Sequence, residues 1–201
     1  MYRCSRPYHR RSALNLRMPR IILRAAVLML LLRGVLLAAD FGGIWLDIPF
    51  VKQEKNGCGA ATIAMVMQYW QQQQGQPVST FADSGQILHT LRGDTTHEIY
   101  ASDMERYFQQ NGYRTFEFSG EWTFLKQQLG KGRPLIAALK PSSSHELHYV
   151  VVAGLDEEHK LVLLNDPAQR KLLKEDKSRF EQEWKATGNW TLLAVPEMSS
   201  H

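Results

Sequence analysis

One cysteine, one histidine, one aspartate and one glutamine in this 201-residue chain have the types and the order that thiol chemistry needs. Cys58 stands between Gly57 and Gly59, and the nearly all-apolar stretch from Ala60 to Trp70 follows it directly. A helix opening at that point would aim its positive end at the sulfur and favour the thiolate, the reactive form. Glycines on both sides let the backbone bend and let a substrate come close. A thiolate nucleophile also needs a base and a group to orient that base. Of seven histidines, His9 lies in an arginine-rich leader, His201 is terminal, His159 falls at a hairpin tip, and His89 and His97 lie in the middle of the chain. His145 and His148 remain. His148 opens the run Tyr149-Val150-Val151-Val152, where a strand would hold an imidazole rigidly.

The orienter follows from hairpin register. A turn centred near Glu157–Glu158 sets His148 opposite Asp166 or Pro167. Asp166 can then accept the proton of the imidazole nitrogen that does not face sulfur. Asn165 has suitable chemistry, but strand alternation gives it the opposite face, so it ranks second. Gln53, five residues before the cysteine, becomes the oxyanion donor together with the backbone N–H of Cys58. Each feature has an ordinary reading by itself: a buried small hydrophobe, a structural histidine, a turn. Their joint order favours catalysis.

The elements that must position these residues alternate in type along the chain. The sequence predicts a short edge strand at 44–50 interrupted by Pro49, and a helix from Cys58 to Trp70 that ends in the polar run before Gly75 and Pro77. Further helices are expected at Thr80–Leu91, at Tyr100–Asn111 with Ser102 as cap, at Glu121–Leu129 closed by Gly130, and at Arg179–Lys185. Strands are expected at Tyr113–Phe118, Pro134–Leu139, Leu147–Leu155, Lys160–Asn165 and Trp190–Val195. Helices come first and strands cluster late, which reads as an α+β fold with an antiparallel sheet.

Composition bounds the function. Of 24 basic residues, eight are arginines of residues 1–39, which hold no acid; the other 16 face 20 acids, leaving residues 40–201 mildly acidic. Nucleic-acid binding, which wants a basic face with interleaved aromatics, is not expected. Residues 1–39 run from arginines through an apolar core, Ile21 to Ala39, to Ala38-Ala39. That is the layout of a secretory signal, or of an N-terminal membrane anchor if uncut. Arg33 interrupts the core, and a spanning helix wants roughly 20 apolar residues. Met18 opens a more compact signal than Met1. The expected organisation is a leader at 1–39 and one domain at 40–201, exported to the periplasm or outside the cell and touching membrane only through an uncleaved leader. Without Cys4 of the leader, Cys58 has no disulfide partner. No second Cys or His stands at zinc-ligand spacing near it, so no metal and no other cofactor is expected.

Ile48-Pro49-Phe50, Gln53, Gly57-Cys58-Gly59-Ala60-Ala61, Met65-Val66-Met67, Tyr69-Trp70, His148-Tyr149-Val150-Val151-Val152 and Asn165-Asp166-Pro167 together resemble a known family. It is the papain-like cysteine peptidases of the bacteriocin-processing, double-glycine leader type, and closest among them the stand-alone peptidase C39-like domains. The resemblance spans about residues 44–196. It implies a papain-like fold, with an N-terminal nucleophile-bearing helix packed on an antiparallel sheet that carries the base. It implies Cys58 as nucleophile, His148 as base, Asp166 as orienter and Gln53 as oxyanion donor, acting on a peptide or protein substrate. Well-known members are joined to ABC-transporter domains, which these 201 residues do not contain. Two rival readings keep the fold: a cell-envelope amidase or acyl transferase with the same triad, and a non-catalytic peptide-binding module.

Overall fold

The centre of the computed structural model is the helix that Cys58 opens, α1 (Cys58–Gln73). The model describes residues 43–92, 99–142, 144 and 146–197; the leader expected at 1–39 lies outside them. Ala60, Ala61, Ala64, Met65 and Met67 favour helix, and all five are buried. The helix is buried almost all round because other elements cover it on several sides, so its residues carry no single apolar stripe. It ends where Gly75 takes φ +66°, a conformation glycine adopts without strain.

A 3₁₀ turn, Thr80–Ala82, and α2 (Ser84–Leu91) follow. The sequence suggests one helix there; the carboxylate of Asp83 instead accepts from the Gln86 N–H and starts α2 afresh. α3 (Ala101–Gln110) begins at Tyr100 with no side-chain cap, so Ser102 lies inside its first turn and does not cap it. Then come β2 (Tyr113–Ser119), α4 (Trp122–Gly130), β3 (Leu135–Leu139), β4 (His148–Asp156), β5 (Leu161–Asn165), β6 (Leu173–Asp176), α5 (Lys177–Lys185) and β7 (Trp190–Pro196). α4 runs through Gly130, and Gly132 holds the positive φ after it. The first strand, β1 (Gly43–Trp45), is three residues long; the expected strand stops well short of Pro49.

The strands form one antiparallel sheet in the order β2-β7-β3-β4-β5-β6, and β1 pairs with the far half of β4. β4 reads Val150-Val151-Val152 without polar alternation because both sheet faces are covered. Val151 and Ala153 pack with Ile63, Met67 and Met104 from α1 and α3. Val150 and Val152 pack with Leu125, Phe180 and Trp184 from α4 and α5.

The β4–β5 register differs from the sequence expectation. Glu157–Lys160 form a four-residue turn with Lys160 at φ +55°, and the pairing shifts between Val152 and Gly154. Val151 therefore pairs with Asn165, and continuing outward sets His148 level with Ala168. Asp166 is reached because it leaves the strand and belongs to the turn beyond it.

Gly154 marks where β1 crosses. A Cβ there would lie 2.5 Å from the Ile44 carbonyl oxygen and 2.8 Å from Trp45 Cβ. Backbone cannot swing aside as a flexible side chain can. Gly154→Ala is therefore expected to cost about 3 kcal/mol, the upper end of the usual overpacking range. A urea melt checks this, and an unchanged midpoint would show that β1 gives way freely.

Candidate active site

Cys58 is the first residue of α1, and no acid stands in that first turn to offset the positive helix end. The turn before it is built by sequence. Asn56 takes φ +56°, and the Gly57 N–H donates to the Glu54 carbonyl at 2.9 Å. Gly59 has a packing role: a Cβ would lie 3.1 Å from the Ile99 side chain. The close approach it allows is to Ile99.

His148, the first residue of β4, lies 2.7 Å through Nε2 from Oδ1 of Asp166. Nδ1 is then the ring nitrogen left for sulfur, and the interaction of imidazole with thiol lowers the one pKa and raises the other. Asp166 is almost fully buried, so its carboxylate needs donors. Oδ1 also accepts from the Ala168 N–H at 2.9 Å, and Oδ2 accepts from the Gln169 side-chain amide at 2.6 Å. The Asp166 carbonyl accepts from the Gln169 N–H, which closes a turn with Pro167 at its second position.

Asn165 sits fully buried on the other side. Its amide donates to the Ile48 carbonyl at 3.2 Å and accepts from the Leu172 N–H at 3.0 Å. Both interactions join the side chain to main-chain groups, of Ile48 and Leu172, and neither partner is His148. Gln53 is fixed through its main chain: its N–H donates to the Pro167 carbonyl at 3.0 Å. The loop before the cysteine and the turn bearing Asp166 are thus joined directly. The Gln53 Oε1 atom is buried with no hydrogen-bond donor among the described residues.

The electrostatics follow from these contacts. Burial pushes the Cys58 thiol up. The hydrogen bond from His148, the Tyr149 backbone N–H, the imidazole charge and the Gly59 N–H outweigh burial, and the thiol ends below its ordinary value. Burial pushes His148 down, but hydrogen bonds and charge from Asp166 and Cys58 raise it to about 9. Burial pushes Asp166 up, and the His148, Ala168 and Gln169 contacts bring it below the usual carboxylate range. All three shifts favour a thiolate, an imidazolium and a carboxylate in a row.

Among the other histidines, His89 is exposed on α2 and His159 pairs with Asp156 at the hairpin tip. His145 and His97 lie outside the described residues. No group of three His, Cys, Asp or Glu among the described residues could hold a metal ion. Sequence reading missed Gln169, the Tyr149 N–H and Ile99. An Asp opening a turn commonly accepts from the backbone N–H two residues on, which is the Ala168 contact, but no such local rule points to the Gln169 side-chain amide.

The model of the Peptidase_C39 like family matches residues 45–192. The chain belongs to that family. Its fold is shared with solved peptidases of low identity. A protein described as a C39-like peptidase from Bacillus anthracis is 18% identical, with a TM-score of 0.58, over 78% of this chain and 99% of the other. The peptidase domain of Streptococcus ComA, a bifunctional ABC transporter of a quorum-sensing pathway, is 20% identical, with a TM-score of 0.55, over 73% and 97%. A double-glycine-motif protease from an AMS/PCAT transporter, solved with its leader peptide, is 22% identical, with a TM-score of 0.55, over 76% and 94%. No curated protein matches the chain. Family and fold together support peptidase activity and the papain-like arrangement of helix on antiparallel sheet. Among the described residues no helix is long and apolar enough to cross a membrane.

Proposed function

We propose that the chain is a cysteine peptidase in which Cys58 is the nucleophile, His148 the general base and acid, Asp166 the orienter, and Gln53 with the Cys58 N–H the oxyanion donors. The observation that carries this reading is the 2.7 Å contact of His148 Nε2 with the buried Asp166 carboxylate, on an imidazole that interacts with the Cys58 thiol at a helix N-terminus. The thiolate attacks the peptide carbonyl carbon, and the carbonyl electron pair moves onto oxygen. Collapse breaks the C–N bond, and the imidazolium gives its proton to the leaving amine. Neutral His148 then takes a proton from the water that attacks the thioester, the C–S bond breaks, and the acid leaves with thiolate and imidazolium restored. The peptide held by the AMS/PCAT protease supports a peptide as substrate. The charge order of residues 1–39 supports delivery of the domain across a membrane.

The pH dependence has a definite sign. At low pH the thiol is protonated and no nucleophile exists. Activity rises as the thiol ionises, below its ordinary range. It falls as pH passes about 9, where His148 loses the proton the leaving amine needs. The test is the rate of Cys58 alkylation by iodoacetamide from pH 4 to 10, run beside cleavage of an internally quenched peptide library. An alkylation midpoint below that of a free thiol, with cleavage abolished in the alkylated protein, is the expected result. An alkylation midpoint near the free-thiol value of about 8.5 would refute the reading.

A further inference from the structure

The carboxylate of Asp166 is held by two donors besides His148, and one is a side chain. Gln169 gives its amide N–H to Oδ2 at 2.6 Å, while Oδ1 carries both His148 at 2.7 Å and the Ala168 N–H at 2.9 Å. Asp166 sits in a turn beyond β5, where no strand ladder sets its direction. A carboxyl group at the end of one Cβ–Cγ bond turns readily, so two bonds to the same oxygen leave the other end free to rock. The Gln169 bond closes that freedom.

We propose that Gln169 is a positioning residue of the site: by anchoring Oδ2 it fixes the plane of the Asp166 carboxylate, so that Oδ1 stays aimed at Nε2 of His148. The proposal rests on the cysteine-peptidase reading above. Asp166 lines a cavity of about 300 Å³ with Gln169, and other ionisable groups line it too. They are Glu146 before β4, His148, Glu175 of β6, and Arg179 and Glu183 of α5. Arg179 is bound to Glu175 at 3.2 Å and to Glu183 at 3.1 Å, so its charge is already shared between two acids. Gln169 is therefore the side-chain donor that Asp166 has for itself. Without it the carboxylate divides its time between orientations, the imidazolium loses part of its partner, and the thiolate facing the imidazolium is less favoured.

The test needs no known substrate. Gln169→Met keeps the length of the side chain and removes the donor; Gln169→Ala removes both. Iodoacetamide alkylation of Cys58 is followed from pH 4 to 10 in the wild type, in both variants and in Asp166→Asn, with thermal melting as a check of folding. Comparing pH 6 with pH 10 within each protein cancels differences in access to the sulfur. That ratio is expected to fall roughly threefold to tenfold in Gln169→Met, in keeping with a lost charge-assisted hydrogen bond. Gln169→Ala should fall by the same amount, because the donor and not the volume matters. A Gln169→Met profile that superimposes on the wild type while Asp166→Asn moves overturns the proposal and leaves the site intact. If neither variant moves the profile, the assignment of Asp166 fails, and the role of Gln169 with it.

Discussion

Cys58→Ala should reduce peptide cleavage by about three to six orders of magnitude, and His148→Ala by a similar factor. Under the proposed mechanism the two side chains work as one unit, because the imidazolium favours the thiolate. The double variant should accordingly be no worse than either single one. Folding should survive. Cys58 is only half buried at the first position of α1, and alanine is the best helix former. Retained melting temperature, lost cleavage and undiminished binding of an uncleaved peptide together separate chemistry from scaffold. More than about 1% residual turnover in Cys58→Ala would assign the hydrolysis to another group, since loss of a true nucleophile costs far more.

The parts of this site that the sequence reveals are those written in local chemistry. Gly57-Cys58-Gly59 before an apolar helix needs no knowledge of distant contacts, and a histidine ahead of three valines announces a strand mouth. Asp166 was reached by a register count that the structure displaces. The bulge beside Gly154 and the four-residue turn shift the pairing, yet Asp166 still meets His148 because its side chain reaches back from a turn. A bulge depends on where β1 crosses, and that crossing is tertiary. Other features escaped for the same kind of reason. β6 reads Leu173-Lys174-Glu175-Asp176, an edge strand with too little apolar alternation to signal itself. Ser102 looks like a cap until α3 is seen to open at Ala101, with Tyr100 at the cap position two residues earlier. Gly59 suggests substrate access until Ile99, some forty residues away in sequence, packs against it. The Ala168 N–H contact with the Asp166 carboxylate, by contrast, follows a local turn rule.

Gln53→Ala should lower kcat about 10²- to 10³-fold with little change in KM, the usual effect of removing one oxyanion donor. The same substitution should leave stability unchanged or raise it. The Gln53 Oε1 atom is buried without a donor among the described residues, and an unsatisfied buried acceptor costs about 1–3 kcal/mol. A group kept for the fold would have a partner. The oxyanion would be met by the Nε2 donor of this amide, and the unpartnered Oε1 acceptor shows only that the fold gives the carbonyl end no partner among the described residues. The main chain already holds the loop, through the Gln53 N–H on the Pro167 carbonyl, so truncating the side chain leaves that link in place. The two signs, slower turnover and equal or greater stability, discriminate between roles better than either alone. A fall in melting temperature with kcat reduced less than about fivefold would make the amide a structural group and leave the Cys58 N–H as the sole oxyanion donor. Gln53→Glu sharpens the test: it keeps size and shape but sets a carboxylate against the developing oxyanion, so turnover should drop below that of Gln53→Ala above the pKa of the new acid and recover toward it below.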